Sequence, residues 1–71
     1  MRPVPYRDVP RKLYAAGFVE VGQSGSHVKF AKTTSERTLT ATVPKHRDVA
    51  AGTLRSILRQ THLTPEEFER L

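Results

Sequence analysis

His27-Val28-Lys29-Phe30-Ala31-Lys32-Thr33 and, after a short polar break, Arg37-Thr38-Leu39-Thr40-Ala41-Thr42-Val43 decide how this chain folds. In the first stretch Val28 and Phe30 alternate with His27, Lys29 and Ala31. In the second, Leu39, Ala41 and Val43 alternate with Thr38, Thr40 and Thr42. A period of two over seven residues is the pattern of a strand with one buried face and one wet face. Thr34-Ser35-Glu36 is a polar turn between them, and Pro44, which cannot donate to a ladder, ends the second strand. Upstream, Phe18 to Gln23 carries Val19 and Val21 and stops at the Ser24-Gly25 turn, which adds a third strand. Three strands with short connections make an antiparallel meander.

The flanks are helical. Tyr6, Val9, Leu13 and Ala16 recur at spacings of three and four, which places them on one helix face. Gly17 supplies the C-terminal stop and Phe18 the apolar contact that goes with it. Pro10 fits this helix only within the first turn, so the helix begins at about Arg7 or Asp8, with Asp8 the candidate cap. Downstream, Gly52-Thr53-Leu54-Arg55 opens a second helix, whose stripe of Leu54, Ile57 and Leu58 covers the sheet. Gly52-Thr53 as an anion site is less expected than an ordinary helix start. His62 falls where that helix must turn, and histidine tolerates positive φ better than most residues, so a capping role is expected. Thr64-Pro65-Glu66-Glu67 reads as a capping box with proline at its first helical position. The order α-β-β-β-α with a short C-terminal helix is a two-layer α+β sandwich, one domain over residues 1–71, with helices on one sheet face. Phe18, Phe30 and Phe68 sit at core periodicity and are expected to pack inside.

Composition narrows the function classes. The chain of 71 residues carries twelve Lys and Arg against seven Asp and Glu, a net charge of +5. Glu66, Glu67 and Glu69 crowd into the C-terminal end; residues 1–64 hold eleven bases and four acids, a balance of +7. A body this basic suits a polyanion, although a solvated basic face without a partner is equally compatible with the count. There are no cysteines, which excludes disulfides and thiolate metal sites and fits a reducing cytoplasm. No apolar run suggests a signal peptide or membrane span. The histidines stand 19 and 16 residues apart with no acidic cluster, so the spacing offers no metal site, and no nucleotide-cradling glycine loop or hydrolase triad is present. No cofactor is called for.

The sharpest local feature is Gly25-Ser26-His27. The glycine turn delivers His27 to the head of a strand, on the same face as Lys29 and away from the helices. An imidazole, with an ordinary pKa of about 6.5, takes a proton at neutral pH as few side chains do. Lys29, Lys32 and the N–H groups of the Gly25-Ser26 turn are candidates to hold a phosphate. That combination suits RNA cleavage in which a base removes the 2′-OH proton and the oxygen attacks the adjacent phosphate. A base of this kind contributes about 10²–10⁴-fold, leaving the rest to positioning and charge stabilisation. From spacing alone, an exposed strand histidine with no role is the commoner arrangement. Lys45-His46-Arg47 places a second histidine between two cations. There Lys45 and His46 are candidate RNA contacts, with His46 or a lysine as the general acid and a plain loop-capping role as the alternative.

Taken in order, Leu13-Tyr14-Ala15-Ala16-Gly17-Phe18, Gly25-Ser26-His27, Val43-Pro44-Lys45-His46, Gly52-Thr53-Leu54-Arg55-Ser56-Ile57-Leu58-Arg59-Gln60 and Glu66-Glu67-Phe68 resemble the HicA family of toxins, over about residues 6–70. The resemblance implies a double-stranded-RNA-binding-domain-like fold, mRNA interferase activity without a metal in the cytoplasm, and growth arrest. It also implies a HicB-type antitoxin covering the active face, and it puts the catalytic histidine at His27. Neither a membrane nor direct DNA binding by this chain alone is implied. Pro3, Pro5 and Pro10 depart from the plain amphipathic helix usual there, and His62 replaces a common glycine. A non-catalytic RNA-binding module and a protein-binding adaptor are the competing expectations.

Overall fold

The computed structural model describes all of residues 1–71. In chain order it holds β1 (Val4–Pro5), α1 (Asp8–Ala15), β2 (Val19–Ser24), β3 (His27–Thr33), β4 (Thr38–Pro44), β5 (Asp48–Val49), α2 (Ala51–Thr61) and α3 (Pro65–Arg70). The main sheet is the expected antiparallel meander, ordered β2-β3-β4. Its apolar face, made of Val28, Phe30, Ala41 and Val43, closes a core with Val9 and Leu13 of α1, Leu54, Ile57 and Leu58 of α2, and Phe68 of α3. The molecule measures only 17 Å along its shortest axis, which is room for one sheet and one layer of helices. The other sheet face therefore meets solvent. Phe30 is fully buried at the centre, and its truncation to alanine is expected to cost about 3–5 kcal/mol.

Helix ends follow local rules. Pro10 sits in the first turn of α1, and the carbonyl of Tyr6, which its missing N–H would have served, accepts from Val9 at 2.9 Å instead. Asp8 is not the cap: Arg7 occupies that position without a side-chain bond, and Asp8 lies in the first turn, 4.0 Å from Arg11. There its charge favours the helix dipole without capping it. At the other end Phe18 N–H donates to Leu13 O (2.9 Å) and Gly17 N–H to Tyr14 O (3.0 Å), with Gly17 at φ +96°. This is the paired closure of a Schellman motif, with buried Leu13 and Phe18 as its apolar contact. His62 ends α2 in the left-handed region at φ 58°, and Leu63 N–H donates back to Leu58 O. The capping box of α3 is complete: Glu67 N–H donates to Thr64 Oγ1 (3.1 Å) and Thr64 N–H to Glu67 Oε1 (2.8 Å).

Two features go beyond the sequence reading. A bulge interrupts the β2–β3 register between Glu20 and Gly22, and it leaves Val21, like Val19, more than half exposed. Short β1 and β5 pair antiparallel, Val4 against Val49 and Pro5 against Asp48. This ribbon takes the place of a longer first helix that Pro3 and Pro5 forbid. It ties the N-terminal segment to the chain entering α2.

Candidate active site

β3 places its residues on two faces. His27, Lys29 and Ala31 lie on the open face; Val28 and Phe30 lie on the covered one. Across β4 the open-face partners are Pro44 opposite His27, Thr42 opposite Lys29 and Thr40 opposite Ala31. On β2, Ser24 faces His27 and Gly22 faces Lys29. His27 thus heads the central strand at one end of the exposed face, one residue past a two-residue turn. Gly25 takes φ +58° there while Ser26 does not, the pattern of a type II′ hairpin whose first loop position wants glycine. Gln23 Nε2 donates to Gly25 O at 3.0 Å and steadies the turn.

Lys32 does not belong with this group. Its position on β3 has the parity of Val28 and Phe30, so it starts toward the helices. Its flexible stem carries Nζ to the end of α1, where it donates to Ala16 O at 2.8 Å and lies 5.9 Å from the centre of the Phe18 ring. Lys32 is a helix C-terminal cation on the covered side, and the structure does not bring it together with His27 and Lys29, where the sequence had grouped it. A Cβ at Gly17 would meet Lys32 Cε at 3.1 Å, a second reason for glycine there.

The second histidine segment comes to the first. Lys45 N–H donates to Ser26 O at 2.6 Å, and His46 N–H turns back to Pro44 O at 2.9 Å. On its far side the loop is held by Tyr6 N–H, which donates to Arg47 O at 3.1 Å, and by the β1–β5 ribbon. Pro44 sits where the outer edge of β4 has no ladder partner, so its missing N–H costs nothing. The next outward N–H, that of Thr42, donates to Gln60 Oε1 of α2 at 3.0 Å. Gly25, Ser26, His27, Lys29, Lys45, His46 and Arg47 are all exposed, and they gather at one end of the molecule. Both anchors of the loop go unmarked in the sequence, since two-residue strands, one of them holding Pro5, leave no periodic signal. Arg47, beside His46, adds an exposed cation to Lys45 on this loop.

The surface here is open. A shallow recess lies elsewhere, between Pro65, Glu66, Glu69 and Arg70 of α3.

The sequence matches the family described as HicA toxin of bacterial toxin–antitoxin systems, over residues 6–63. The chain belongs to the HicA family. No curated protein is similar enough to count as a match. The HicA match covers α1 through α2 and stops at Leu63, so Glu66-Glu67-Phe68 of α3 falls outside it. It includes the Gly25-Ser26-His27 turn and the Lys45–Arg47 loop. Membership makes the chain the toxin half of a pair and implies an antitoxin partner. No helix of this HicA-family chain is long and apolar enough to cross a membrane.

Proposed function

We propose that this HicA-family toxin is an endoribonuclease acting on mRNA, with His27 as general base. The observation that supports this most directly is the position of His27: exposed at the head of β3, on the face that carries Lys29 and lacks helices, beside the Lys45–Arg47 loop. His27 takes the proton from a ribose 2′-OH; the 2′-oxygen attacks phosphorus; the bond to the 5′-oxygen breaks, leaving a 2′,3′-cyclic phosphate. Lys29, two positions along the same face, stands about 7 Å further down the strand. It supplies charge to the phosphate there, together with Lys45 and the N–H groups of the Gly25-Ser26 turn. The chemistry needs no metal ion or other cofactor. A HicB-type antitoxin would silence the protein by covering this open face.

His27→Ala tests the reading. Cleavage of labelled mRNA is expected to fall by about 10²–10⁴-fold while the circular dichroism spectrum and antitoxin binding are kept. RNA with 2′-deoxyribose at the cut position resists cleavage, and EDTA leaves the rate unchanged. Full activity in the His27 variant would sink the assignment. Salt-sensitive binding with no products from the wild-type protein would instead identify a non-catalytic RNA-binding module.

A further inference from the structure

We propose that His46 is the general acid of this cleavage, protonating the departing 5′-oxygen from the side of the phosphate opposite His27. The proposal rests on the cleavage reading above and adds a second catalytic residue to it.

Pro44 pairs with His27 across the β3–β4 ladder. Lys45 N–H is bonded to Ser26 O, and the His46 N–H closes a tight turn onto Pro44 O. Directly opposed strand residues stand about 5 Å apart. One tight turn further on, the His46 backbone lies within about 10 Å of His27. Downstream, the bond from Tyr6 N–H to Arg47 O and the Pro5–Asp48 pairing fix the loop again. His46 is therefore an exposed histidine on a loop anchored on both sides, next in the chain to Lys45, whose N–H is bonded to the turn before His27.

The reaction needs two groups in different places. In an in-line displacement the attacking 2′-oxygen and the leaving 5′-oxygen lie on opposite sides of phosphorus, so one imidazole cannot serve both. His27 comes from β3 and His46 from the loop after β4, which brings them to the phosphate from different elements. Neighbouring cations are poorer donors. Lys29 follows His27 along one strand face and so approaches from the same side. An alkylammonium, with an ordinary pKa of about 10.4, gives up its proton reluctantly near neutrality. The guanidinium of Arg47 does not deprotonate. Lys45 and Arg47 instead flank His46 with charge that draws the phosphate toward it; Asp48 is the one carboxylate next to this loop.

The step balances. The 2′-O–P bond forms as its proton passes to neutral His27, and the P–O5′ bond breaks as the proton of His46 passes to the leaving oxygen. The products are a 2′,3′-cyclic phosphate and a 5′-hydroxyl, with the two histidines left in exchanged protonation states.

The test uses an oligoribonucleotide spanning a mapped cleavage site, made with either an ordinary 5′-oxygen or a bridging 5′-sulfur at the scissile bond. A thiolate leaves without needing a proton. His46→Ala and His46→Gln are expected to slow cleavage of the ordinary substrate by about 10²–10⁴-fold and to cut the sulfur substrate nearly as fast as wild type. His27→Ala should stay slow on both. Equal losses on the two substrates in both His46 variants would reduce His46 to an RNA contact and overturn the proposal. So would undiminished cleavage of ordinary RNA. If wild-type protein cuts no RNA, so that no site can be mapped, the cleavage reading fails as well, which separates the two failures.

Discussion

Lys29 and Lys32 stand three positions apart on one strand and have opposite fates. Lys32 is taken up by the fold, its ammonium bonded to the carbonyl of Ala16 just past the end of α1. Lys12 is used the same way, donating to Phe68 O, Glu69 O and Leu71 O and lying 5.1 Å from the centre of the Phe68 ring. Lys29 and Lys45 point to water with no such acceptors. Net charge counts these four alike. Hydrogen-bond accounting separates cations that hold helix ends from cations free to meet a polyanion.

That separation can be broken by exchange. Lys32→Met and Lys12→Met should each destabilise the fold by about 1.5 kcal/mol, the loss of a charge-assisted bond. In a domain of this size each kcal/mol lowers Tm by roughly 4–8 °C, with the salt dependence of RNA binding unchanged. Lys29→Ala and Lys45→Ala should do the converse, keeping Tm while flattening the slope of log affinity against log salt by about 0.7 each for a single strand. A melting scan and a salt titration on the four variants decide it; matching changes in both groups would erase the distinction. Smaller is the effect of His62→Gly. It relieves a non-glycine residue at φ 58°, and a gain of up to about 1 kcal/mol in urea unfolding is expected. The smallest effect is at Glu67, whose carboxyl is held below its ordinary pKa chiefly by the backbone N–H at Thr64, then by the Thr64 side chain. A depressed carboxyl stabilises the fold above its unfolded-state pKa and loses that contribution as pH falls through the lower folded value. Tm should therefore drop on acidification less steeply in Glu67→Gln than in wild type.

Alternation was the most legible signal. It marked the covered residues of β3 and β4 and put His27 and Lys29 on the open face, because a period of two survives any detail of packing. The Schellman end at Gly17, the His62 turn and the Thr64 capping box were legible because each depends on contacts within a few residues. Lys32 was grouped with Lys29 although its position shares the parity of Val28 and Phe30. Alternation says nothing of where a long stem ends, and the acceptor is sixteen positions away at Ala16. The β1–β5 ribbon and the bond from Lys45 to Ser26 were illegible for the same reason. Their partners are distant in the chain, and the bonds are made by backbone groups that every residue has.

The β1–β5 ribbon also sets an order of events during synthesis. Val4 cannot meet Val49 until the ribosome has made well over half of the chain, and residues 4 and 5 must wait unpaired until then. A truncated product ending before β5 can carry the Gly25-Ser26-His27 hairpin, yet it lacks the strand that pins the Lys45–Arg47 loop in place. Such a product also lacks all of α2, whose Leu54, Ile57 and Leu58 belong to the core, so the ribbon and the helix that completes the core arrive together.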